Sequence, residues 1–131
     1  MNKRSSSFYR KTGETEVTIH LNLDGIGNSN ISTGNGMLDH LISQIARHGL
    51  FDIEINALGD LRTGWHHTVE DVGIGFGRAL REALGGNEGI TRMGHALVPL
   101  DEALARVAID ISGRGYASIE TNFITEKVED L

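Results

Sequence analysis

The chain has 131 residues, of which 39% are hydrophobic and 23% charged, with a formal net charge of −6 and no cysteine. This suits one globular domain over residues 1–131 with a core of its own; the acidic balance argues against a nucleic-acid binder, and the missing thiols exclude disulfides, thiolate metal sites and a cysteine nucleophile. The opening MNKRSSSFYRKTGE has basic residues but no apolar run behind them, and no stretch approaches the length of a membrane span, so a cytoplasmic protein without membrane contact is expected.

From Thr15 the pattern is two-fold. Val17, Ile19, Leu21 and Leu23 alternate with Glu16, Thr18, His20 and Asn22, as in a half-buried strand. DGIGNSN is turn chemistry, and it predicts a hairpin in which this strand pairs with NISTG. In GMLDHLISQIARHG the period becomes helical: Leu38, Leu41, Ile42 and Ile45 form an apolar stripe, and Gly49 is the predicted stop. His40, Gln44 and His48 recur every fourth residue on another face. FDIEINAL returns to period two, with Phe51, Ile53, Ile55 and Ala57 on one side, and GDLRTGW reads as a loop. A second helix is predicted over residues 69–84, ended by Gly85 and Gly86. Its Gly73, Gly75 and Gly77 each cost about 1 kcal/mol relative to alanine, a cost that close packing on a sheet would explain. From Asp101, the odd positions Ala103, Ala105, Val107, Ile109 and Ile111 predict another strand; SGRG turns the chain, and YASIETNF is the predicted partner. ITEKVEDL reads as a helix or turn just beginning. The sum is an α+β fold, a mostly antiparallel sheet with two helices packed on one face.

The chemistry gathers in GWHHTVEDVGIGFG. His66 and Glu70 are four apart and His67 and Glu70 three apart, spacings that place imidazole and carboxylate on one helical face within reach of one cation. Adjacent helical residues diverge by about 100°, so His66 and His67 suit two cations more readily than one. Mixed imidazole and carboxylate donors suit zinc, manganese or iron. The plainer alternative makes Thr68 an N-cap and Asp71 its N3 partner, with two exposed histidines before the helix. His40 adds a fourth candidate ligand on the other helix, provided the two helices pack as neighbours.

GMLDHLISQIARHG, GDLRTGWHHTVEDVGIGFGRAL, GITRMGHALVPLDEAL and DISGR, in this order and spacing and preceded by RKTGETEVTIHLNLDG, closely resemble imidazoleglycerol-phosphate dehydratase, an enzyme of histidine biosynthesis. The resemblance covers essentially the whole chain from Tyr9. It implies one half of a duplicated ribosomal-protein-S5-domain-2-like architecture, and a hydro-lyase converting imidazoleglycerol phosphate to imidazole-acetol phosphate. It also implies manganese pairs (Mn2+) held by histidines and glutamates, and sites between subunits of a large homo-oligomer. Carried over, His40, His66 and Glu70 bind one metal and His67 contributes to a second. Glu14 contacts substrate and assists proton transfer, Gln44 and His48 fall in the substrate-contacting helix, and Arg92 and Arg114 grip the phosphate. The proton to be removed sits on a carbon with no neighbouring carbonyl. Metal ligation of the substrate imidazole favours an imidazolate that can expel hydroxide, and Glu14 or Glu70 is the candidate base. Guanidinium forks match phosphate oxygens.

On spacing alone these residues have plainer roles: Glu14 a strand-end surface charge, Arg92 and Arg114 solvated arginines at turns, Asp101 a loop-fixing residue beside Glu102, Asp39 and Asp71 caps or supporting partners. The chain departs from the family pattern at Gly64 and Trp65 before the histidine pair, at His95, and at Gly115 after SGR. It carries one HHxxE motif where the family has two. The expectation is therefore an N-terminal half, a partial dehydratase sequence inactive by itself. The alternative is a non-catalytic metal-binding or assembly module derived from that enzyme. A weaker third reading is a metallohydrolase built on His66, His67 and Glu70, which leaves two phosphate-seeking arginines without a purpose.

Overall fold

The structure is a computed structural model that describes residues 4–121. Backbone contacts divide them into two compact units, residues 4–85 and 86–121. The first unit runs β1 (Ser5–Lys11), β2 (Thr15–Asn22), β3 (Ser29–Ser32), α1 (Gly36–Gly49), β4 (Asp52–Gly59), β5 (Arg62–Trp65) and α2 (His66–Leu84). Its four-stranded sheet has the order β1-β2-β4-β3, antiparallel except for the parallel β3–β4 pair. The second unit is an antiparallel hairpin of β6 (Met93–Leu100) and β7 (Ala103–Asp110).

Period-two alternation builds the core. Val17, Ile19 and Leu21 of β2 lie opposite Ala57, Ile55 and Ile53 of β4, and all six are buried on one sheet face. Both helices cover that face. α2 lies mainly over β1 and β2 through Val72, Gly75, Ala79 and Ala83, and α1 lies over β3 and β4 through Ile42 and Ala46. The architecture is the expected α+β arrangement, with mostly antiparallel strands and two helices on one side. None of the described helices is long and apolar enough to cross a membrane.

Several local expectations need correction. β2 does not form a hairpin with NISTG, because β4 lies between β2 and β3. β4 matches the apolar alternation of β2 along eight residues, whereas β3 offers only Ile31. Asp52, opening β4, fixes the crossing by accepting the backbone N–H groups of Ile26 and Asn28, each at 3.0 Å. The hairpin partner of β2 is instead β1, a polar edge strand whose Phe8 packs against the core. In α1 the seated stripe is Leu38, Ile42 and Ala46, while Leu41 and Ile45 are 48% and 44% exposed. α1 covers the β3 edge of the sheet, where a narrow stripe suffices. Asn35 caps this helix by accepting the Leu38 N–H at 2.8 Å; the helix ends at Gly49 as expected, with the left-handed conformation taken by the following Leu50 (φ 57°). The strand predicted from Asp101 is β7, but its partner is β6 and not YASIETNF, of which residues 116–121 have no regular structure. Asp101 occupies the two-residue β6–β7 turn with φ 49°, a conformation aspartate tolerates, in keeping with its loop-fixing role. ITEKVEDL lies outside the described residues.

Of the three α2 glycines only Gly75 meets the sheet. A Cβ there would lie 2.9 Å from Ile19 Cδ1 and Phe8 Cε1, while at Gly73 and Gly77 it would meet nothing within 4 Å. Gly73→Ala and Gly77→Ala are each expected to raise stability by about 0.5–1 kcal/mol in chemical denaturation. Gly75→Ala should forfeit that gain, and equal gains at all three positions would contradict the seating of α2.

The N–H groups of Ile26 and Asn28 hold the Asp52 carboxyl below the ordinary aspartate range. A depressed carboxyl contributes stability above its unfolded pKa, about 4, and loses it as pH falls through the lower folded value. The urea midpoint should therefore fall on acidification below about pH 4, and Asp52→Asn should flatten that fall. Parallel curves for the two proteins would contradict the role given to Asp52.

Candidate functional site

α2 starts directly from β5, with His66 as its first residue and Trp65 as the N-cap, which makes no side-chain cap bond. Thr68 is therefore not the cap. It lies in the first turn, fully buried against Gly59, where a Cβ would collide with its Oγ1. Asp71 is not a capping partner either. Its carboxylate accepts the Thr15 hydroxyl of β2 and pairs with Arg10 Nε of β1 at 3.0 Å, pinning the start of α2 to the β1–β2 hairpin. Trp65 lays its ring against Gly34 (φ 85°), next to the Asn35 cap of α1. Asp39 of α1 accepts the Thr33 N–H at 3.0 Å and the Thr33 hydroxyl at 2.5 Å, a supporting role in the loop before the helix.

On this platform His66 and Glu70 face each other, with Nε2 and Oε2 3.6 Å apart and both side chains more than half exposed. Two ligands of one divalent cation at about 2.1–2.2 Å lie roughly 3.0–3.6 Å apart for bond angles between 90° and 110°, so the separation of the pair is at the upper end of that range. His67 turns away, its ring centroid 5.5 Å from that of His66. Its Nδ1 meets Asp60 Oδ1 at 3.2 Å, with Thr63 Oγ1 at 3.4 Å. Because a carboxylate only accepts, Nδ1 carries the proton in this contact and Nε2 is left as the donor atom for a metal. The Asp60 N–H donates to the Glu14 carbonyl at 2.9 Å, so Asp60 ties the exposed β1–β2 turn bearing Glu14 to His67.

The remaining candidates stand apart. His40 and His48 are exposed on α1, and Gln44 is half-buried with its Nε2 3.4 Å from Ser43 Oγ. Among the described residues no three histidine, aspartate or glutamate side chains converge as a cation site. The His66–Glu70 pair therefore stands without a third such side chain among the described residues, and His40 is not brought to it. α2 lies mainly over β1 and β2 and α1 over β3 and β4.

In the second unit Arg92, just before β6, makes a two-pronged ion pair with Asp110 at the end of β7: Nε to Oδ1 2.6 Å and Nη2 to Oδ2 2.9 Å. The bonded guanidinium holds the Asp110 carboxyl below its usual range and raises the pKa of Arg92. Arg114 follows a bend at Gly113 (φ 81°), its N–H donating to Ser112 Oγ at 3.3 Å, and its charge also acts on Asp110. His95 lies on β6 opposite Ala108, exposed. Sequence reasoning missed Asp60 and Asp110. The first lies in a stretch read as loop, and the second pairs across 18 residues through a strand that was not foreseen.

The fold and these side chains define an α+β protein that presents imidazole–carboxylate pairs at the start of one helix and, in its second unit, arginines beside one carboxylate. The imidazoleglycerol-phosphate dehydratase family model matches residues 33–131. The chain is 54% identical over 127 residues to an imidazoleglycerol-phosphate dehydratase of Methanocella arvoryzae, covering 97% of this chain and 66% of that protein. It is 51% identical over 128 residues to one of Gluconacetobacter diazotrophicus, covering 98% and 65%. The crystal structure of imidazoleglycerol-phosphate dehydratase from Staphylococcus aureus superposes with a TM-score of 0.81 at 34% identity, over 95% of this chain and 69% of that one. That from Pyrococcus furiosus, in complex with (S)-C348, gives 0.77 at 38% identity, over 93% and 64%. The chain belongs to the imidazoleglycerol-phosphate dehydratase family. It spans just under two thirds of the length of these curated relatives.

Proposed function

We propose that the chain forms part of a hydro-lyase that removes water from imidazoleglycerol phosphate to give imidazole-acetol phosphate in histidine biosynthesis. The observation that carries this reading is the His66–Glu70 pair, set at 3.6 Å on the first turn of α2 within a chain of this family. Manganese (Mn2+) is the proposed cofactor, with His66 and Glu70 on one ion, His67 on a second, and His40, which its own chain does not bring to the pair, joining the first from a further subunit. Bound there, the metal supplies Lewis-acid polarisation and a template for the substrate imidazole.

The chain's own residues do the rest. Asp60 holds the His67 ring so that Nε2 is the free donor. Glu14 or Glu70 moves the proton at the carbon, and Gln44 and His48 contribute to the substrate-facing side of α1. Arg92 and Arg114 bind the phosphate. A large homo-oligomer in the cytoplasm belongs to the same proposal, its further subunits supplying the donors that one chain's His66–Glu70 pair lacks. The second reading, a non-catalytic metal-binding or assembly module, draws support from the fact that no three donors converge among the described residues.

Complementation separates the two. The chain, joined to the part of the Methanocella arvoryzae relative outside the match, should let a histidine auxotroph lacking this dehydratase grow without histidine. Growth failure despite soluble, manganese-binding protein would favour the module.

A further inference from the structure

We propose that Asp110 is a positioning residue for Arg92, holding one edge of its guanidinium so that the other edge is presented to the substrate's phosphate. The proposal rests on the dehydratase reading above. The hairpin register brings Asp110 opposite Met93, and the Ile111 N–H donates to the Arg92 carbonyl at 3.0 Å, so the two backbones are clamped where the side chains meet. Asp110 engages Nε and Nη2. A guanidinium has five N–H groups, so three remain: both on Nη1 and one on Nη2, along the end of the fork. That end can take two phosphate oxygens while the side edge stays on Asp110.

The ion pair is about half exposed on both sides, 53% and 43%. Pairs of that kind contribute little to stability, so its effect lies in orientation. Arg114, whose charge also reaches Asp110, adds a second cation to the same locality. One carboxylate against two guanidinium groups leaves a net positive charge, suited to a phosphate dianion.

The test uses the chain completed as above and assayed for dehydration of imidazoleglycerol phosphate. Asp110→Asn and Asp110→Ala should raise KM about tenfold or more with kcat changed less than twofold, and the inhibition constant of inorganic phosphate should rise in parallel. Asp110→Glu should restore much of the KM, and thermal midpoints should stay within a few degrees of the parent. An unchanged or lowered KM in both variants, with Arg92→Ala raising it, would overturn the positioning role while leaving the dehydratase reading standing. No turnover by the parent would overturn that reading and this proposal with it.

Discussion

Replacing His66 by alanine is expected to lower the rate of dehydration about a thousandfold, near 4 kcal/mol of transition-state stabilisation, in the chain completed with the remainder of a relative. His66 Nε2 and Glu70 Oε2 stand 3.6 Å apart, a separation that suits two ligands of the proposed cation. Removing the imidazole leaves Glu70 with no partner on its own helix turn. Glu70→Gln should act in the same direction, since a neutral amide is a poor substitute for a carboxylate on a hard cation. Asp60→Asn should cost less, about 10–100-fold, because Asp60 orients His67 without touching the ion. Manganese affinity measured alongside turnover checks the ordering. Full activity in His66→Ala would remove the pair from the site.

The second large effect falls on stability. Ile19 is fully buried on β2, opposite Ile55 of β4 and beneath Gly75 of α2. Ile19→Ala removes three carbons where Gly75 seats the helix on the sheet, and the helix cannot follow the void without breaking the Arg10–Asp71 pair and the Thr15–Asp71 bond. The expected loss is about 3–4 kcal/mol by urea denaturation, within the usual range for a fully buried isoleucine. A loss below about 1 kcal/mol would show that α2 is not held there. The change also bears on function, because the same contact carries the helix that begins with His66 and His67.

What the sequence made legible follows from periodicity. β2 and β4 alternate strictly and bury one face, so their residues announced a half-buried sheet. The two helices were equally plain, although α2 starts at His66 rather than Val69 and GDLRTGW, read as a loop, carries β5. β1 escaped because SSSFYRK puts only Phe8 and part of its polar stems against the core, and an edge strand needs no more. The β2–β3 hairpin failed because turn residues mark a change of direction without naming the partner; the eight-residue match with β4 chose it. For the site, the HHxxE spacing located His66 and Glu70 on one face, as spacing along a single helix should. Asp60 and Asp110 were invisible to that reasoning, since each reaches its partner through tertiary placement. Gly73 and Gly77 look identical to Gly75 in sequence, and only the path of α2 over Ile19 separates them.

The most direct test is the conversion of imidazoleglycerol phosphate by the purified, completed chain, assayed with manganese, after chelation, and after manganese is restored. Imidazole-acetol phosphate should form with manganese, cease on chelation and resume on restoration. Product formation that survives chelation, or none at any manganese concentration from a folded protein, would contradict the account.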